Sequence, residues 1–120
     1  MLAKAALLVT LGAFASAQTF VGFPSSLTCK TSNGTATISM SESQNAILGP
    51  KGFKVDDNAA NMASGKCSTL SGIPLFAESV VGKGRISFAF DKGNNTYYFC
   101  SGRGAIDGTG YPSVCVENQK

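Results

Sequence analysis

Four cysteines in a chain with no histidine, Cys29, Cys67, Cys100 and Cys115, constrain this fold more than any other feature of the sequence. Cysteine ligation of a metal wants short Cys-x-x-Cys spacing or imidazole partners. The closest pair here, Cys100 and Cys115, is fifteen residues apart, so no metal site is expected. An even number of widely spaced cysteines reads as two disulfides, with three pairings open.

Disulfides require an oxidising compartment, and the N-terminus supplies the route. MLAKAALLVTLGAFASA has a single basic residue at Lys4, an apolar run from Ala5 to Phe14 and the small-x-small ending Ala15-Ser16-Ala17. That pattern is a secretory signal peptide over residues 1–17, followed by one disulfide-linked domain over 18–120. The run is shorter than the roughly 20 residues a membrane-spanning helix needs, and no later run approaches that length. The expectation is a secreted, extracellular monomer with no membrane span, with translocation into a host as a further option.

A domain of about a hundred residues buries only about 60–65% of its chain surface. Two bridges closing long loops contribute roughly 3–5 kcal/mol each, comparable to its whole stability. With Lys4 removed, nine basic side chains face seven acidic ones. So weak a balance does not make nucleic acid or an anionic membrane an obligatory partner, because phosphate binding needs clustered Lys and Arg.

Gln18 to Ser26 reads as an extended lead-in. Ser26 to Thr31 alternates like a strand, Asn33-Gly34 is a hairpin turn, and Thr35 to Met40 is the return strand. Ser41-Glu42-Ser43-Gln44 matches a capping box and predicts a helix of about two turns that Gly49-Pro50 ends. Phe53 to Val55 is extended. Asp56 or Asp57 caps a second helical stretch, NAANMASGK, ending before Cys67.

From Cys67 onward the period is two. Ile73 to Val81, Arg85 to Phe90 and Thr96 to Ser101 are strands, with a hairpin loop at Asp91 to Asn95. Gly102, Gly104, Gly108 and Gly110 form a glycine loop around Arg103 and Asp107, and Val114 and Val116 bracket Cys115 in a last strand. The fold class is α+β, a short helix packed on a central antiparallel sheet, with an all-β sandwich as the alternative.

This order of elements resembles the fungal guanyl-specific ribonucleases, and more closely the ribonuclease-like secreted effectors of plant-associated fungi. The segments that carry the resemblance are ISMSESQNAI, IPLF, GKGRISFAF and TYYFCSGRGAIDGTGYPSVC, within Thr28 to Cys115. The resemblance implies Cys29 paired with Cys115 and Cys67 with Cys100. It also implies an acid–base site for RNA cleavage that this chain mostly lacks. Arg85 falls on the family's phosphate-binding arginine, but the glutamate base falls on Gly72 and the histidine acid on Gly102 or Arg103. The family's Tyr-x-His segment has no counterpart between Val55 and Gly72.

The missing histidine stands without any resemblance: an acid or base near its operating pH contributes about 10²–10⁴-fold. No residue is therefore assigned a catalytic role and no cofactor is expected. Arg85, Arg103, Asp107, Tyr98 and Tyr111 are the binding candidates. Arg103 and Asp107 suit a carboxylate, a phosphate or a protein partner. Their plainer reading is a surface turn with a weak ion pair. The tyrosines suit base or sugar stacking, and their plainer reading is core. Asn33 and Asn94 head glycosylation sequons at two hairpin tips.

The expected function is that of a non-catalytic, effector-like protein, a pseudoenzyme of virulence, binding a host protein or RNA. Two alternatives remain. One is a hydrolase, either a residual ribonuclease or a glycosidase using Glu78 with Asp91 or Asp107. The other is a secreted inhibitor or antimicrobial protein.

Overall fold

The computed structural model describes residues 18–62 and 66–119. Residues 1–17, read above as a signal peptide, and part of the second helical stretch, Ala63 to Gly65, lie outside the described residues. The described chain is mostly β: nine strands, one α-helix and two short 3-10 turns. The larger sheet runs β1 (Thr19–Val21), β7 (Thr96–Ile106), β6 (Gly84–Asp91), β5 (Leu75–Val80), β4 (Phe53–Asp56), with β8 (Pro112–Val114) also on β7. The smaller sheet runs β3 (Gly34–Ser39), β2 (Ser26–Thr31), β9 (Val116–Asn118). The helix α1 is Met40–Ile47.

Several expectations change. The large sheet is mixed rather than antiparallel, because the lead-in forms β1 and pairs parallel with β7, with Phe20 stacked on Tyr97 at 5.2 Å. Of the second helical stretch, the described residues give only a 3-10 turn, Ala59–Asn61, held by Asn58, whose Oδ1 accepts from Ala60 N–H at 3.2 Å and Gly72 N–H at 2.9 Å. The closing strand is two strands in two sheets. At Cys115, between β8 and β9, the chain leaves the large sheet for the small one.

The helix also starts earlier than Ser41. Ser39 ends β3 in extended conformation, so its hydroxyl accepts from the Glu42 N–H at 3.1 Å while Glu42 Oε1 accepts from the Ser39 N–H at 3.0 Å. Ser41 lies already inside the first turn. Lys83 Nζ donates to Glu42 Oε2 at 2.7 Å and to Thr37 O at 3.0 Å, tying the helix start to the β5–β6 turn. That hydrogen bond, with the Ser39 N–H second, holds the Glu42 carboxyl below its ordinary value. Ser39→Ala is expected to cost about 1 kcal/mol in urea denaturation and Ser41→Ala far less; equal effects would remove Ser39 as the cap.

The main core lies between the two sheets. Leu27, Cys29 and Ile38 come from the small sheet, Ile47 from α1, and Ile86, Phe88, Tyr97 and Phe99 from the large one. Tyr97 is buried by its ring, and its hydroxyl accepts from the Gly49 N–H at 2.9 Å, which fixes the exit of α1. On the opposite face of the large sheet a second cluster of Ala59, Cys67, Leu75, Ala89 and Cys100 is roofed by the segment between β4 and β5.

Two disulfides hold these layers, Cys29–Cys115 with Cα atoms 4.4 Å apart and Cys67–Cys100 at 5.1 Å. This is the pairing the resemblance implies. The first staples the small sheet to the switch point, and the second pins the roof onto β7. Among the described residues no helix is long and apolar enough to cross a membrane, and no group of three or more metal-ligating side chains comes together.

Candidate functional site

The roof covers only part of its sheet face, and the remainder is an open groove of about 570 Å³. Strand alternation builds it. Phe53 of β4 opposes Ala77 of β5, Ala77 opposes Ser87 of β6, and Ser87 opposes Ser101 of β7. In the next row Ser79 opposes Arg85, and Arg85 opposes Arg103. Small side chains on β5 and β6 make the floor. Phe53, Val55 and Pro112 stand around it with the two arginines.

Arg85 and Arg103 face each other because of a bulge. Phe88 opposes Phe99 but Ser87 opposes Ser101, which leaves Cys100 as an extra residue on β7. The shift reverses the alternation beyond it. Without it Arg85 would oppose Gly102, and Arg103 would stand on the other face.

Like charges directly opposite across an antiparallel pair are destabilising. Neither arginine has a carboxylate partner among the described ion pairs, which are Lys54–Asp57, Lys66–Glu117 and Lys83–Glu42. Arg85 rests instead over the Phe53 ring, its guanidinium carbon 5.4 Å from the centroid. The ring gives a cation–π contact and orients the fork without neutralising it.

The structure brings Arg85 and Arg103 together and leaves the other candidates apart. The glycine loop around Arg103 is not a loop at that point, since Gly102, Arg103 and Gly104 are all strand residues of β7. A Cβ on Gly104 would lie 2.5 Å from Lys30 O and one on Gly102 3.0 Å from Leu27 Cδ1, so these glycines serve close approach of β7 to β2. Gly110, at φ +86°, does serve a turn.

Asp107 does not pair with Arg103. Its Oδ1 accepts from the Thr109 N–H at 2.9 Å and from the Thr109 hydroxyl, closing the β7–β8 turn. The hydroxyl, then the amide, then the more distant Lys30 charge hold its carboxyl below the ordinary range. Tyr98 packs against the second core cluster beside Cys100, so its ring is structural. Tyr111 is 73% exposed at the turn and is not among the groove's lining residues. Asn33 and Asn94 are both exposed at turns, with Asn94 Nδ2 donating to Asp91 Oδ2 at 2.7 Å.

Glu78 and Asp91, the first pair of carboxylates considered for hydrolysis, do not converge. Glu78 shares its face with Phe76 and Val80, which pack on the main core, and its Oε1 accepts from the Ser79 N–H at 3.0 Å. It opposes Ile86, five residues before Asp91 on β6. That is roughly 17 Å of strand with the two side chains on opposite faces, beyond the 5–10 Å a glycosidase pair needs. Gly72, where the resemblance places the base, lies in the loop before β5 and outside the groove; the groove residue on β5 is Ala77.

Sequence reasoning missed Phe53, Val55, Ala77, Ser87 and Pro112 as groove residues. One signal was available. Phe53 and Val55 alternate with Lys54 on a short strand and are 52% and 51% exposed, an uncommon expense of apolar surface. No protein-family model, no curated protein and no solved structure matches the chain.

Proposed function

We propose that this protein is a secreted, non-catalytic binding module of the effector-like kind on a ribonuclease-like scaffold, recognising an anionic group of a host macromolecule through the Arg85–Arg103 groove. The observation that carries the reading is the opposed pair of arginines without a carboxylate partner among the described residues. An arrangement that costs stability in the free protein is relieved when an anion sits between the two forks. The described lining of the groove offers two fixed cations, an aromatic ring and small side chains, with no carboxylate or imidazole beside them to move a proton. The paired disulfides suit export to an oxidising medium.

Fluorescence anisotropy with two labelled polyanions, a single-stranded RNA oligonucleotide and a polyglutamate peptide, tests it. The expected result is salt-sensitive binding to at least one probe, weakened about tenfold or more in the R85A/R103A double variant, and intact RNA after incubation. Cyclic phosphate ends on the RNA would overturn the non-catalytic reading. Equal binding by the double variant would overturn the assignment to the groove.

A further inference from the structure

Resting on the groove assignment above, we infer that the occupant is the phosphotyrosyl side chain of an extended peptide that pairs along the outer edge of β4. Charge comes first. Arg85 and Arg103 are opposed in register and both line the groove, with the Arg85 guanidinium carried toward Phe53, so the groove holds two positive charges and two forks. A carboxylate or a phosphodiester brings a single negative charge and leaves one arginine unneutralised. A phosphate monoester brings about −1.5 to −2 and three strong acceptor oxygens, enough to engage both forks at once.

The walls decide what carries the phosphate. Phe53, Val55 and Pro112 give the groove an apolar side, and Ala77 and Ser87 leave its floor open. A short phosphoserine stem would leave that apolar wall uncovered, whereas a phenyl ring spans it and packs beside Phe53, whose ring Arg85 already covers in part. The remaining argument is the edge. β4 is the terminal strand of the large sheet, paired only with β5 among the described residues, so its outer backbone groups are open to an added strand. Phe53 stands on this strand, so a peptide paired there lies beside the groove, and a tyrosyl side chain directed across Phe53 meets Arg85 first, whose guanidinium stands over that ring, with Arg103 beyond it.

The experiment is a titration of the purified, oxidised protein with one short acidic peptide in three forms, carrying tyrosine, phosphotyrosine or phosphoserine at its centre, and with a nucleoside monophosphate. The expected result is that the phosphotyrosine form binds about tenfold or more tightly than each of the others. R103K is expected to lose most of that preference, because it keeps the charge but not the fork. R85A and R103A are expected to be at least as resistant to urea as wild type, since each removes one side of the like-charge opposition.

In a heteronuclear NMR titration, amide shifts along the whole of β4 are expected with the peptide, against shifts confined to Phe53 and its immediate neighbours with free phenyl phosphate. A nucleoside monophosphate binding as tightly as the phosphotyrosine peptide, equal binding of all three peptides, or an unperturbed β4 would each overturn the inference. Those outcomes leave the groove assignment standing when polyanion binding still depends on Arg85 and Arg103, and a loss of that dependence removes both.

Discussion

Serine in place of both Cys29 and Cys115 is expected to lower the unfolding free energy by about 4–5 kcal/mol, and the same change at Cys67 and Cys100 by about 3–4 kcal/mol. The order follows from the loops, which span 86 and 33 residues of sequence separation. The longer loop costs the unfolded chain more entropy when closed. The native side reinforces the order. Cys115 is where the chain changes sheets and Cys29 is buried in the main core, whereas Cys67–Cys100 holds only the roof. For a domain of marginal stability, loss of the first bridge leaves little folded protein at 37 °C. Urea denaturation of the two double variants, followed by tryptophan-free fluorescence from tyrosine and by circular dichroism, reads both values. A smaller loss for the Cys29–Cys115 pair would contradict the account of which staple holds the fold.

Gly104→Ala is expected to cost about 3 kcal/mol or more, while Gly108→Ala, four residues on, changes stability by no more than about 0.5–1 kcal/mol in either direction. The added Cβ at Gly104 would meet Lys30 O at 2.5 Å and Lys30 N at 2.8 Å, both backbone atoms that move only if β2 moves away from β7. At Gly108 nothing lies within 4 Å and the backbone is not left-handed. Because Arg103 immediately precedes Gly104, the first variant is also expected to lose binding at the groove if it folds. Thermal denaturation of the two variants side by side is the measurement, and similar midpoints would mean that the β2–β7 approach is looser than the structure has it.

These glycines show where sequence reading stops. Gly102, Gly104, Gly108 and Gly110 look alike as a Gly-x-Gly run, and a loop was the natural expectation. Their separation into packing and turn residues depends on Lys30, Leu27 and Cys115, which are remote in the chain. The helix start was displaced by two residues for a local reason, since Ser39 and Ser41 both stand three before a Glu or Gln. Only the extended conformation that Ser39 inherits from β3 decides between them. The hairpin at Asp91 to Asn95, by contrast, lies where turn chemistry puts it, because the residues that form it are adjacent, whereas the first hairpin turns one residue early, at Ser32-Asn33, with Gly34 paired to Thr31 as the first residue of β3.

The sequence by itself determined what depends on composition and on near neighbours: an even set of cysteines without histidine, strands of period two, one short helix and tight turns between them. Only the tertiary structure decided that the lead-in becomes a parallel strand, that the chain changes sheets at Cys115, and that Arg103 faces Arg85. The last is the sharpest case. Counted back from the β6–β7 turn in perfect register, Arg103 would stand on the opposite face, and the extra residue at Cys100 returns it to the groove. A bulge is a property of two strands paired over many residues, and alternation along either strand alone carries no record of it.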